Sequence, residues 1–125
     1  MHIDHATIRT NYLKETRDFM VSVFDLVDGN RPKTIADLVD GHWLYWKDSP
    51  LVHIIKSDAT TKEIANNATE AIDHFALIME DYDVFKQKLI AMAIPFSLID
   101  LPELRIRRIF LRTPQNILIE TIFRD

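Results

Sequence analysis

At 125 residues, with 47% hydrophobic and 27% charged residues, the chain has the size and composition of one compact globular domain with a real core. A net charge of -4 argues against nonspecific nucleic-acid binding, and no apolar run approaches the ~20 residues that span a bilayer. The absence of cysteine excludes disulfides, thiolate zinc sites and Cys nucleophiles, and two glycines are too few for a glycine-rich phosphate loop. The N-terminus lacks the basic-then-apolar pattern of a secretory signal, so a cytoplasmic location is the expectation.

The first predicted strand runs from Ile3 to Arg9, with Ile3, His5, Thr7 and Arg9 on one face and Asp4, Ala6 and Ile8 on the other. Thr10 or Asn11 is placed to cap a helix over Leu13 to Leu26, whose apolar stripe is Leu13, Thr16, Met20, Val23 and Phe24. Asp28-Gly29-Asn30 and Pro32 end it and begin a turn. Thr34 to Val39 is a weak strand candidate, and His42 to Lys47 a stronger one, with Trp43 and Tyr45 on one face. Asp48-Ser49-Pro50 reads as a hairpin-type turn before a strand over Leu51 to Lys56, in which Leu51, His53 and Ile55 share a face.

Polar residues 58–71 look like a connector, so one module covers 1–57 and a second covers 72–125. Ile72 to Met79 repeats the first strand, with Ile72, His74, Ala76 and Ile78 on one face. Asp81 or Asp83 is placed to cap a second helix to about Ala93, with a stripe of Tyr82, Phe85, Leu89 and Met92 and a stop at Pro95. Phe96 to Leu101, Arg105 to Arg112 and Ile117 to Phe123 follow as strands. Pro102 and the Thr113-Pro114-Gln115-Asn116 turn separate them.

The two modules repeat one another. A shift of 69 takes His5 to His74, Leu13 to Tyr82, Thr16 to Phe85, Met20 to Leu89 and Val23 to Met92. A shift of 67 takes Trp43 to Phe110, Leu51 to Leu118, His53 to Glu120 and Ile55 to Ile122. The two-residue change falls between helix and final hairpin, where loops absorb length differences. His5, His53, His74 and Glu120 thereby stand at repeat-equivalent positions, and imidazole plus carboxylate is a donor set for a divalent metal. One His on an apolar strand is ordinarily a satisfied core or surface residue; four candidates in two matched pairs are a stronger signal.

Ile3-Asp4-His5-Ala6-Thr7-Ile8, Trp43-Leu44-Tyr45, Leu51-Val52-His53, Ile72-Asp73-His74-Phe75-Ala76-Leu77 and Arg108-Ile109-Phe110-Leu111-Arg112 leading to Ile119-Glu120 carry a resemblance. Over essentially the whole chain it resembles the vicinal oxygen chelate superfamily of glyoxalases, bleomycin resistance proteins and extradiol dioxygenases, and its small glyoxalase-like members in particular. One departure is Thr113-Pro114-Gln115-Asn116 in place of that family's Asp-Pro-x-Gly turn, which Asn tolerates. The resemblance implies an α+β fold of two tandem βαβββ modules, each pairing its first and last strands in an incomplete barrel around a central cleft. His5 would then neighbour His53, and His74 would neighbour Glu120.

By the same resemblance His5, His74 and Glu120 hold Fe, Mn, Ni or Zn, with positions left open for a small substrate that chelates through adjacent oxygens. His53 is either a fourth ligand or an unligated general base, and Glu120 joins it in the catalytic set. A buried Glu120 without metal or partner would cost several kcal/mol, which argues for an occupied site. Arg9, Trp43, Tyr45, Arg108 and Phe110 are candidate substrate contacts, although strand arginines are more often solvated edge residues. His2 and His42 read as surface residues, Tyr12 as a residue that either reaches the cleft mouth or merely covers it, and Asp4 and Asp73 as pointing away from the metal face. The activity implied is that of a metal-dependent lyase, isomerase or dioxygenase. The rival is a metal-free binding or antibiotic-resistance protein of the same fold. Small members of the family often form homodimers.

Overall fold

A computed structural model of the chain describes residues 3–57, 74–102 and 105–124. His2, the expected connector 58–71, Ile72 and Asp73 lie outside the described residues. The chain divides into two compact units, Met1–Ala71 and Ile72–Asp125.

The first unit is built on one amphipathic helix. Its strands and helices are β1 (Ala6–Thr10), α1 (Leu13–Phe24), β2 (Val27–Gly29), α2 (Lys33–Leu38), β3 (Gly41–Trp46) and β4 (Ser49–Lys56). Thr16, Met20, Val23 and Phe24 of α1 are buried, the stripe that its spacing predicts. They cover a sheet ordered β1-β4-β3-β2, whose helix-side residues Ile8, Leu44, Val52 and Ile54 are no more than 3% exposed. β1 and β4 run parallel as neighbours, with Thr7 opposite His53, although they lie at opposite ends of the module.

The second unit repeats the plan: β5 (His74–Met79), α3 (Tyr82–Ala91), β6 (Phe96–Leu98), β7 (Ile106–Arg112) and β8 (Leu118–Arg124), with sheet order β5-β8-β7-β6. Tyr82, Phe85 and Leu89 of α3 are buried, and both rings pack on Phe123 at 5.3 and 5.9 Å. The register repeats as well. Trp43 lies opposite His53 and Phe110 opposite Glu120, while Thr7 lies opposite His53 and Ala76 opposite Glu120. The α+β reading with two βαβββ modules therefore stands.

Several local expectations are corrected. β1 begins at Ala6 rather than Ile3, and Ile3 is 88% exposed. Neither Thr10 nor Asn11 caps α1. Tyr12 is the N-cap without a side-chain cap bond, while Thr10 Oγ1 accepts from the Tyr12 N–H and Thr16 Oγ1 donates to the Tyr12 carbonyl. Asp81 takes the equivalent place before α3, also without a capping bond and at φ 60°. Val27–Gly29 is a short edge strand, not a turn.

The weak strand at Thr34 to Val39 is helix α2. Pro32 presets the entry, its carbonyl accepting from both Ile35 and Ala36, and Arg31 donates to the Ile35, Val39 and Gly41 carbonyls at the helix end. Donors from outside the segment thus outweigh its β-branched residues. The hairpin turn falls at Lys47-Asp48, one residue earlier than expected, with Lys47 at φ 54° and Ser49 and Pro50 already in β4. The Thr113 turn is as expected: Asn116 takes φ 69° and donates its N–H to the Thr113 carbonyl.

Candidate functional site

Strand alternation sends one set of side chains towards each helix and the other set to the opposite face, and the chemistry lies on the opposite faces. In the first unit this face carries a stack of three rings. His53 of β4 lies between His5, 3.8 Å away, and Trp43 of β3, 4.2 Å away, all nearly parallel. Both faces of the imidazole are covered, so His53 can act only through its edge. Its Nε2 is buried and, among the described residues, has no hydrogen-bond partner. Burial and the nearby His5 hold its pKa below the ordinary histidine value, against the raising effects of the Pro50 backbone and Asp4. Neutral imidazole with a buried, unclaimed nitrogen is a donor prepared for a metal or a proton.

His5 precedes β1, so strand alternation does not govern its neighbour. Asp4, expected to point away, instead places Oδ2 2.6 Å from His5 Nδ1. A carboxylate on one ring nitrogen orients the other, as partners of metal-binding histidines do. Strand alternation misplaces Asp4 because the strand begins only at Ala6. The signal was the Asp-His pair itself.

In the second unit Glu120 of β8 is 7% exposed and sits between two basic groups. Its Oε2 is 3.0 Å from His74 Nε2, and its Oε1 accepts from Arg108 Nη1 at 3.1 Å. Arg108 is anchored further by Nε donating to the Ile99 carbonyl at 3.0 Å, and its guanidinium lies 5.0 Å from the Phe110 ring. Phe110, opposite Glu120 in the register, also meets His74 edge-on at 6.4 Å.

Arg108 is therefore not a solvated edge arginine. It lies on the interior strand β7 and neutralises Glu120. This overturns one argument for an occupied site: Glu120 has partners without a metal. Arg9 is exposed on the His53 face of β1. Tyr45 is less available than expected, because its hydroxyl donates to the Asn30 carbonyl at 2.6 Å and its ring lies against Gly29. His42, read as a surface residue, is half-buried with Nδ1 3.0 Å from Asp28. Tyr12 is 61% exposed.

No family model and no curated protein matches the sequence. Solved structures do match. A Bacillus anthracis protein assigned to the glyoxalase family is matched over 100% of this chain and 96% of its own, at a TM-score of 0.77 and 19% identity. The fosfomycin resistance protein FosX from Listeria monocytogenes is matched over 100% and 94%, at 0.71 and 15%. A glyoxylase/bleomycin resistance protein/dioxygenase domain from Frankia sp. is matched over 100% and 93%, at 0.70 and 15%. The chain has the glyoxalase fold. At these identities the likeness speaks for the fold alone. A mutant of FosX has also been crystallised with Mn(II) and a dihydroxypropylphosphonic acid.

On the glyoxalase fold of this chain, each unit gathers two of the four candidate donors. Two ligands ~2.1 Å from one ion, at right angles, lie ~3.0 Å apart. His74 Nε2 and Glu120 Oε2 have that spacing, at 3.0 Å. The unpartnered His53 Nε2 and the Asp4-supported His5 suit the same role. Among the described residues no three His, Asp or Glu side chains gather as a ready ligand set. The donor chemistry fits a divalent metal, two donors to a unit.

Proposed function

We propose that the protein is a metal-dependent glyoxalase-like enzyme, a lyase, isomerase or dioxygenase, acting on a small substrate with adjacent oxygens. The metal ligands in this reading are His5, His74 and Glu120, and the ion is Fe, Mn, Ni or Zn. When bound, the ion would polarise a carbonyl or stabilise an enolate through its open positions. His53 joins as fourth ligand or moves a proton at Nε2, and Trp43 and Phe110 give that chemistry an aromatic wall. The observation that carries the reading is the 3.0 Å approach of His74 Nε2 to Glu120 Oε2 at positions repeat-equivalent to the stacked His5 and His53. FosX, of the same fold, takes Mn(II), which supports a metal here. A homodimer in the cytoplasm is the setting we propose; no helix among the described residues is long and apolar enough to cross a membrane.

Metal analysis of protein purified without a polyhistidine tag tests this. We expect close to one equivalent after loading, and loss of binding in His74→Ala. Uptake below about a tenth of an equivalent for all four metals would sink the enzyme reading. Oxygen consumption with catechols after anaerobic Fe(II) loading would identify the dioxygenase branch.

One observation favours a second reading, a metal-free protein that sequesters a small molecule. Arg108 already matches the charge of Glu120, so the buried carboxylate has a cationic partner without an ion. The same metal analysis separates the two.

A further inference from the structure

The arginines of β7 and its approach are not equivalent. Arg105 is in the turn before the strand at φ 53°. Arg107 lies on the helix side, its guanidinium 3.4 Å from the Tyr82 ring centre and 3.7 Å from Asp83. Arg108 is committed to Glu120. Arg112 lies on the same face of β7 as Arg108. Among the described residues its guanidinium has no carboxylate partner; it donates to the Asn116 carbonyl at 2.9 Å. It also lines an open cavity of about 450 Å³ within the second unit, together with Pro95, Phe96, Ser97, Phe110 and Leu118.

That cavity lies beside the Glu120 group. Phe110 is directly opposite Glu120, and Leu118, two residues along β8 on the same face, is opposite Arg112. Of its lining residues only Ser97 and Arg112 have polar side chains, and none is acidic. A few polar groups on an apolar wall are what fixes the orientation of a small ligand. Arginine presents a planar fork that matches an oxyanion.

We propose that this cavity binds the apolar body of a small organic anion, and that Arg112, not Arg108, determines specificity by binding its charged end. The substrate class is thus an aliphatic or aromatic acid rather than an amine or a neutral sugar. Resting on the functional reading above, this places the acid's body against Phe110 and Leu118, next to Glu120. It differs from that reading in needing no metal to be observed.

The test uses the full chain freed of metal with chelating resin, titrated calorimetrically with phenylpropanoate, its neutral alcohol phenylpropanol, and propanoate. One charge-assisted contact predicts roughly tenfold tighter binding of phenylpropanoate than of phenylpropanol. Propanoate, lacking the apolar body, should bind more weakly still. Arg112→Gln should abolish the preference for the acid, and Arg112→Lys should keep most of it. Equal binding of acid and alcohol by the wild type would overturn the proposal, as would an unchanged preference in Arg112→Gln. Metal uptake by the wild type is read separately, so the metal reading fails or survives independently of this result.

Discussion

At the level of single residues, the balance of the site rests on Glu120 and His53. Glu120 and Arg108 are a largely buried pair, with side chains 10% and 19% exposed. Removing one partner of such a pair leaves the other charge uncompensated. Arg108→Met should therefore cost about 3 kcal/mol, and Arg108→Met with Glu120→Gln should recover most of it. Urea unfolding midpoints of the two variants measure this; equal midpoints would show the pair to be unimportant. His53 has a folded-state pKa below the ordinary value of 6.5. Between those two values the unfolded chain binds a proton that the folded chain does not. The stability His53 contributes is thus fully present above about pH 6.5 and declines as pH falls through the window beneath it. In metal-free protein, unfolding midpoints from pH 7.5 down to 5.5 should fall, with a shallower decline in His53→Phe.

Among the elements, β3 and the β7–β8 turn are most sharply constrained. A Cβ at Gly41 would lie 2.0 Å from the Ile54 carbonyl oxygen, a backbone atom held in the sheet. Gly41→Ala is expected to cost at least about 3 kcal/mol or prevent folding, because the strands cannot part locally. At Gly29 the neighbour is the Tyr45 ring at 2.7 Å, a side chain with more freedom to shift, so Gly29→Ala should cost less. Thermal unfolding orders the two, and the reverse order would contradict the packing argument. Asn116 at φ 69° should accept Gly within about 0.5 kcal/mol, whereas Asn116→Val should lose about 1 kcal/mol or more. Much at this scale was legible. The buried stripes Thr16, Met20, Val23 and Phe24 of α1 and Tyr82, Phe85 and Leu89 of α3 come from local periodicity, whereas Met92, expected to continue the second stripe, caps the helix end and is 40% exposed. Helix α2 was not legible, because the Arg31 donors that hold its end come from outside the segment.

For the whole molecule, the functional reading predicts linkage between metal and stability. At a free metal concentration of 100 times the Kd, the folded state should gain about 2.7 kcal/mol, roughly a 10 °C rise in Tm. Differential scanning with Fe(II), Mn(II), Ni(II) and Zn(II) measures it, and His74→Ala should remove the shift. The repeat was readable without the structure because apolar spacing of two residues in strands and three to four in helices is imposed locally by burial. It determined that two similar modules exist and that His5, His53, His74 and Glu120 occupy matched positions. It could not determine what each of them touches. Those contacts depend on cross-strand register and on backbone outside the regular elements. Only the tertiary structure put Asp4 on His5, closed His53 between two rings, and turned Arg108 onto Glu120. Sequence pattern records which face a side chain takes, and charge pairing across a sheet is decided after the strands have met.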